Sequence, residues 1–186
     1  MEKKLLYFIL IFLFPLLLRS ENSKNIGNSD MTPTRLTITS PAFKMGSTIP
    51  KKYTGDGADV SPPLNWDGVP EGTKSLALIS DDPDAPVGTW VHWVIFNIPP
   101  LEKGLPEGVP KQNTLSNGAR QGTNDFRKIG YNGPAPPPGK PHRYYFKLYA
   151  LDVVLDLPTG IKKAELVKAM EGHILSSSEY MGIYQR

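Results

Sequence analysis

Two blocks hold the residue types that could do chemistry together. Asp82-Pro83-Asp84-Ala85-Pro86 leads into Trp90-Val91-His92, and Gly133-Pro134-Ala135-Pro136-Pro137 leads into His142-Arg143-Tyr144. Each block runs from a loop stiffened by proline, which fixes φ, into an extended segment. Alternate side chains of a strand share one face, so Trp90 points with His92, and His142 with Tyr144. Asp82 follows the run Ser75–Ser80 and shares the face of Leu76, Leu78 and Ser80 by the same alternation. If these strands are neighbours, a carboxylate, two imidazoles, a phenol and an indole converge. A carboxylate orients an adjacent imidazole or favours its charged form. Backbone N–H groups of a Gly133–Ala135 turn would add donors, as loop nests do. That chemistry suits a phosphate or carboxylate group.

Each residue also has a plainer reading. His92, between Val91 and Trp93, reads alone as a core histidine bonded to a backbone carbonyl, and His142 as a surface residue at a strand start. Asp84 reads as a turn-fixing carboxylate. Tyr131, Tyr144, Tyr145 and Tyr149 read as packing residues, and only Tyr144 shares a face with His142. Pro134–Pro138 reads as a rigid pocket wall in preference to a polyproline ligand. His173, late in a helical segment, is assigned no role.

The elements that must position these groups are mostly strands. Leu36–Thr39 alternates and is β-branched, Ser75–Ser80 is a short apolar run between turn signals, and Trp90–Ile98 ends at Pro99-Pro100. The longest, His142–Val153, sets Tyr144, Phe146, Leu148 and Ala150 on one face and Arg143, Tyr145, Lys147 and Tyr149 on the other. Lys51–Asn65 reads as mostly loop. Proline is 19 of 186 residues, about twice the usual share, and falls between strands, where it interrupts no ladder. One helix is expected from Lys162 to Leu175, with Leu166, Val167, Met170 and Ile174 at helical spacing and Gly172 weakening its end. The expected class is mainly β: an antiparallel sandwich with one C-terminal α-helix.

The chain opens with Met1-Glu2-Lys3-Lys4 and an uncharged run from Leu5 to Leu18. A basic start, a short apolar run and a small residue describe a signal peptide, residues 1–20. The run is shorter than the roughly 20 apolar residues of a membrane span. Residues 21–33 read as a polar, flexible lead-in, and 34–186 as one domain. The expected location is the periplasm or the extracellular space, with anchoring by an uncleaved leader as the alternative. The leader carries +2 of the whole-chain net charge of +3. The basic character therefore gives no reason to expect nucleic-acid binding, and no dense Lys/Arg patch with interleaved aromatics appears. The absence of cysteine excludes disulfides, thiolate metal sites and a Cys nucleophile. There is no Gly-x-Ser-x-Gly elbow and no His-Glu-x-x-His. Two histidines and an aspartate could hold zinc, but the adjacent Trp and Tyr suit an oxygen anion better.

Taken in order, Asp82–Pro86, Trp90-x-His92, Asn124-Asp125-Phe126, Gly130-Tyr131-Asn132-Gly133-Pro134-Ala135-Pro136-Pro137 and His142-Arg143-Tyr144 resemble the phosphatidylethanolamine-binding protein family. The match is to its bacterial branch, often labelled Raf kinase inhibitor-like. Lys163–Leu166, Met170–His173 and Gly182-x-Tyr184-Gln185-Arg186 look like that branch too, so the resemblance spans roughly Thr34 to Arg186. It implies a Greek-key β-sandwich. It also implies an anion pocket at Asp82, Trp90, His92, Gly133, Pro134, Ala135, Pro136, His142 and Tyr144, accepting phosphate, phosphorylethanolamine headgroups or acetate-like anions. Ala135 departs from the cysteine common in bacterial relatives, and Arg127 from a small glycine, which would make the rim more basic.

The leading expectation is an exported binding protein that captures a small anion or phospholipid headgroup and modulates a protein partner. No cofactor, metal or nucleic acid is expected, and membrane contact only through the leader or a lipid headgroup. The rivals are a phosphoester or acyl hydrolase with His92 or His142 as base and Asp82 orienting it, and a protease or kinase inhibitor acting through surface loops.

Overall fold

The computed structural model describes residues 35–186. The leader, the lead-in and the start of the domain at residue 34 lie outside the described residues. Eight strands and one helix follow in order: β1 (Thr37–Thr39), β2 (Leu64–Asp67), β3 (Ser75–Asp82), β4 (Trp90–Ile98), β5 (Gly104–Leu105), β6 (Arg120–Gln121), β7 (His142–Leu151), α1 (Lys163–Met170) and β8 (Ile174–Tyr184). They form a three-stranded sheet, β1-β2-β5, and a five-stranded sheet, β6-β4-β3-β7-β8, with antiparallel pairing between neighbours. β7 returns by a long connection to lie beside β3, a Greek-key path. The fold is therefore mainly antiparallel β with one helix.

The alternation of β3 and β7 divides the core in two. Leu76, Leu78, Tyr144, Phe146, Leu148 and Ala150 pack with Ile38, Leu64 and Trp66 of the small sheet. Ala77, Ile79 and Leu151 pack with Leu166 and Met170 of α1 on the other face. β3, sandwiched between both cores, is buried along its whole length. Its one charged residue on the helix side is Asp81, fully buried and neutralised by Lys147 Nζ at 2.8 Å and by Lys163 of α1. This ion cluster ties the helix to the sheet directly behind Asp82.

The helix is shorter than the sequence suggested. It ends at Met170 because Gly172 adopts a left-handed φ of 78°, a conformation that stops a helix and is open to glycine at no steric cost. Ile174 and Leu175 belong instead to β8, which pairs with β7 from His142 to Leu151. Sheet pairing on that scale overrides a helical apolar pattern. β2, which begins at the end of the stretch read as loop, and the two-residue strands β5 and β6 have no counterpart in the sequence pattern, and they are held by ladder bonds to partners distant in sequence.

β4 carries the irregularity that matters most. Asp82 opposes Trp90 and Asp81 opposes Val91, but Ser80 opposes Trp93, so His92 is an extra residue at a β-bulge. Side-chain parity runs undisturbed from Trp90 to His92 and inverts there. Beyond it Trp93 and Ile95 face the small sheet, while Val94 and Phe96 face the helix. Bulges re-aim side chains beside functional sites, and this one turns His92 toward the end of β7.

Candidate functional site

A cavity of about 220 Å³ opens where β3, β4 and β7 end, with Asp82, His92, His142 and Tyr144 as its polar floor. Trp90, Phe126, Pro86, Val87, Ala135 and Pro136 form its largely apolar walls. Of the sequence-derived candidates, Asp82, Trp90, His92, Ala135, Pro136, His142 and Tyr144 line the cavity. Gly133 and Pro134 sit behind its wall, where the Gly133 N–H donates to Asp59 Oδ1 at 2.6 Å and the Pro134 carbonyl accepts from Gly55 N–H at 2.8 Å. Gly133 is thus not a free donor, which leaves the Ala135 N–H as the turn's candidate.

The floor is a chain of hydrogen bonds. His142 Nδ1 lies 2.7 Å from Asp82 Oδ2, and since a carboxylate accepts, the imidazole donates. Asp82 Oδ1 accepts the Asp84 N–H at 2.8 Å. This bond, and not the Asp84 side chain, fixes the turn. Asp84 instead reaches β7 and accepts from Arg143 N–H, Nε and Nη2 at 2.9, 2.9 and 2.7 Å. The Arg143 contact holds the Asp84 carboxyl at about 2, against the opposing effect of burial. The Tyr144 hydroxyl is pushed well up by burial and then by the Asp82 carboxylate, so it stays a neutral phenol at physiological pH. His142 and Tyr144 stack at 6.5 Å and 21°, as their shared face requires.

His92 is buried and packs edge-on against Tyr144 at 5.2 Å and Phe126 at 5.3 Å. Its Nδ1 lies 2.6 Å from the Asn132 carbonyl, which can only accept, so Nδ1 carries the hydrogen. Among the described residues no buried side-chain N or O lacks a partner. Nε2, which has no protein partner, therefore opens onto the cavity. Burial drives the His92 pKa below its usual 6.5, outweighing the nearby Asp82, Asp125 and Asp81 charges, so the ring is neutral at pH 7. A lowered imidazole pKa in the folded state stabilises the fold above the unfolded value, and that contribution is lost as pH falls through the folded one. Urea unfolding of the wild type should show stability declining as pH drops below 6.5, and His92→Gln should flatten that decline. An unchanged slope in the variant would refute the assignment.

Two supporting residues carry roles that sequence reasoning did not assign, although Asn124 lies in one of the quoted motifs. Asn124 Nδ2 donates to Asn132 Oδ1 and to the Gly130 carbonyl at 2.9 Å each, while its Oδ1 accepts Phe126 and Lys128 N–H at 3.0 and 3.1 Å. Asp59, at a left-handed φ of 54°, accepts Asn132 Nδ2 at 2.7 Å in addition to Gly133 N–H. Burial pushes its carboxyl up, but these donors and Lys111 outweigh that and leave it lowered. Asp59 precedes Ser61-Pro62-Pro63 with no periodic or motif signal of its own. The chain's last residues brace the same wall: Arg186 Nε and Tyr184 OH both reach Asp56 at 2.9 Å, and Gln185 Nε2 donates to the Gly139 carbonyl at 2.6 Å. Arg127 is exposed at φ 61° on the turn that carries Phe126 into the wall, and it does not line the cavity.

The cavity lining includes no Ser, Thr, Cys, Lys or Arg. It therefore offers no aliphatic hydroxyl, thiol or amine nucleophile, its one hydroxyl being the Tyr144 phenol, and no permanent cation apart from what its imidazoles acquire.

Comparisons with known proteins agree with this architecture. A UPF0098 protein of Methanothermobacter thermautotrophicus is 56% identical over 145 residues, 78% of this chain and 95% of that protein. A Pyrococcus abyssi relative is 51% identical over 150 residues, 79% and 84% of the two chains. Among solved structures, a putative phosphatidylethanolamine-binding protein homologue from Chlamydia trachomatis, CT736, matches with a TM-score of 0.75 at 44% identity, covering 82% of this chain and 99% of that one. E. coli YbcL, described as a member of the mammalian PEBP family, matches with a TM-score of 0.76 at 34% identity and the same coverage. The family model described as phosphatidylethanolamine-binding protein matches residues 39–185. Sequence, fold and motif order thus agree, and the chain belongs to the phosphatidylethanolamine-binding protein family.

Proposed function

We propose that this chain is an exported binding protein whose cavity captures a small oxyanion: phosphate, a phosphorylated headgroup or a carboxylate. The observation that supports it most is the Asp82–His142 pair at 2.7 Å on the floor of a small, mostly apolar cavity. When an oxyanion enters, His142 Nε2–H donates to it and the Asp82 carboxylate compensates the imidazolium, a charge-assisted pair in a partly desolvated site. Tyr144 and the Ala135 N–H stand by as neutral donors. A cavity of about 220 Å³ has room for a headgroup but not for acyl chains, so any lipid would leave its tails outside. Modulation of a protein partner would act through the loops at the mouth, around Val87 and Pro137. Export rests on residues 1–20, whose basic and apolar pattern describes a leader.

Calorimetric titration with phosphorylethanolamine tests the pocket. His142→Ala should weaken binding by about tenfold or more, the worth of one hydrogen bond to a charged group. Equal binding by both proteins, or binding by neither, would refute the reading. The Asp82–His142 geometry also resembles an oriented general base, with water as the attacking group. Hydrolysis of activated acyl and phosphodiester substrates that disappears in His142→Ala would establish that second reading.

A further inference from the structure

His92 offers the cavity a hydrogen-bond acceptor. Its Nδ1–H is committed to the Asn132 carbonyl at 2.6 Å, and that carbonyl is fixed on both sides. The Asn132 N–H donates back to the His92 carbonyl at 3.0 Å, and its side chain is held by Asn124 and Asp59. The ring cannot flip without orphaning a buried carbonyl. The lone pair on Nε2 therefore faces whatever enters. An oxyanion without a hydrogen would set lone pair against lone pair there, at the cost of an unsatisfied buried acceptor.

We propose that His92 makes the pocket select oxyanions that bring their own proton, so that it prefers phosphomonoesters in their hydrogen-bearing monoanionic form over sulfate esters and phosphodiesters. This rests on the oxyanion reading of the cavity and specifies its ligand class. The P–OH donates to His92 Nε2 while the unprotonated oxygens take the His142 Nε2–H and the neutral donors. A sulfate ester or a phosphodiester has no such hydrogen and must draw a proton from solvent onto His92. The ring's surroundings set the difficulty of that uptake. Asp81 and Asp82 on β3 and Asp125 after β6 favour the proton, burial against Phe126 and Tyr144 opposes it, and burial prevails. An intact diacyl phospholipid, a diester, is then a poorer ligand than the free phosphorylated headgroup.

The test compares phosphorylethanolamine with ethanolamine O-sulfate near pH 5.5, where the phosphomonoester, with its second pKa near 6, carries the same single charge on its acidic group as the sulfate ester. Wild type should prefer the phosphomonoester by about tenfold or more. His92→Gln, whose amide can turn a donor to the ligand, should bring the two within about threefold of each other. Glycerophosphorylethanolamine should behave like the sulfate ester. In the wild type its binding should weaken about tenfold per pH unit above the His92 pKa, one proton taken up per ligand. The wild-type measurements stand even if His92→Gln fails to fold. Equal affinities for phosphate and sulfate esters that both depend on His142 would overturn the selection while leaving the oxyanion pocket intact. Loss of all binding would overturn both.

Discussion

Gly133→Ala should lower the unfolding free energy by about 3 kcal/mol, the upper range for overpacking a tight site. In a domain of this size that corresponds to a melting temperature lower by roughly 6–12 °C. A Cβ at position 133 would stand 2.3 Å from the Tyr53 carbonyl oxygen and 2.6 Å from Thr54 Cα. Both are backbone atoms, so no rotamer change relieves the clash, and the Tyr53 carbonyl is already committed to the Tyr131 hydroxyl at 2.7 Å. Relief requires the Asn132–Pro136 wall to move away from the Lys51–Tyr53 turn. That motion strains the Gly133–Asp59 bond and shifts Asn132, which orients His92. The variant should therefore lose oxyanion affinity along with stability. Thermal unfolding and phosphorylethanolamine titration on the same preparation check both, and a variant melting within about 2 °C of wild type, a cost of about one kcal/mol or less, would contradict the packing argument.

The sequence made the site more legible than its supports. Parity placed Trp90 with His92 and His142 with Tyr144, because those pairs lie within regular strand or just before the bulge. Asp82 followed from the same logic along β3. The bulge itself left no trace in the residues from Val91 to Val94, since it is defined by pairing with Ser80 and Asp81 rather than by composition. β8 was hidden for a related reason: Ser176-Ser177-Ser178 has no apolar alternation, and the strand exists because β7 offers a full ladder. Gly133 was read as a donor to the ligand but serves the wall, because its partner Asp59 is distant in sequence and carries no motif.

The two readings of His92 turn out to be one. It is a core histidine bonded to a backbone carbonyl, and it also borders the cavity. The bond that makes it structural is the one that decides what its free nitrogen can accept. Likewise Asp82 fixes a turn through Oδ1 and orients His142 through Oδ2. Protein donors thus take both Asp82 oxygens, whereas in His92 packing claims one ring nitrogen and leaves the other to the ligand.

The alanine at position 135 gives the second large expectation. An ideal Cβ on Gly55 would lie 3.0 Å from Ala135 Cβ, and the Gly55 N–H already bonds the neighbouring Pro134 carbonyl at 2.8 Å. Disulfides span Cβ separations of about 3.5–4.5 Å, so the two segments need to part by roughly half an ångström. Gly55→Cys combined with Ala135→Cys should then form a disulfide. Closing a loop of about 80 residues is worth roughly 4.5 kcal/mol in the chain-entropy model, and the strain of that small opening should leave about 3 kcal/mol. The chain has no other cysteine to compete. Melting with and without reductant measures the gain directly, with Ala135→Cys alone as the reference. Free thiols that persist under oxidant, or a crosslink that leaves the melting temperature unchanged, would show that the wall and the Thr54–Gly55 segment are not held in contact. A stabilised crosslinked protein that still binds phosphorylethanolamine would show that the wall's position, and not its mobility, is what the pocket requires.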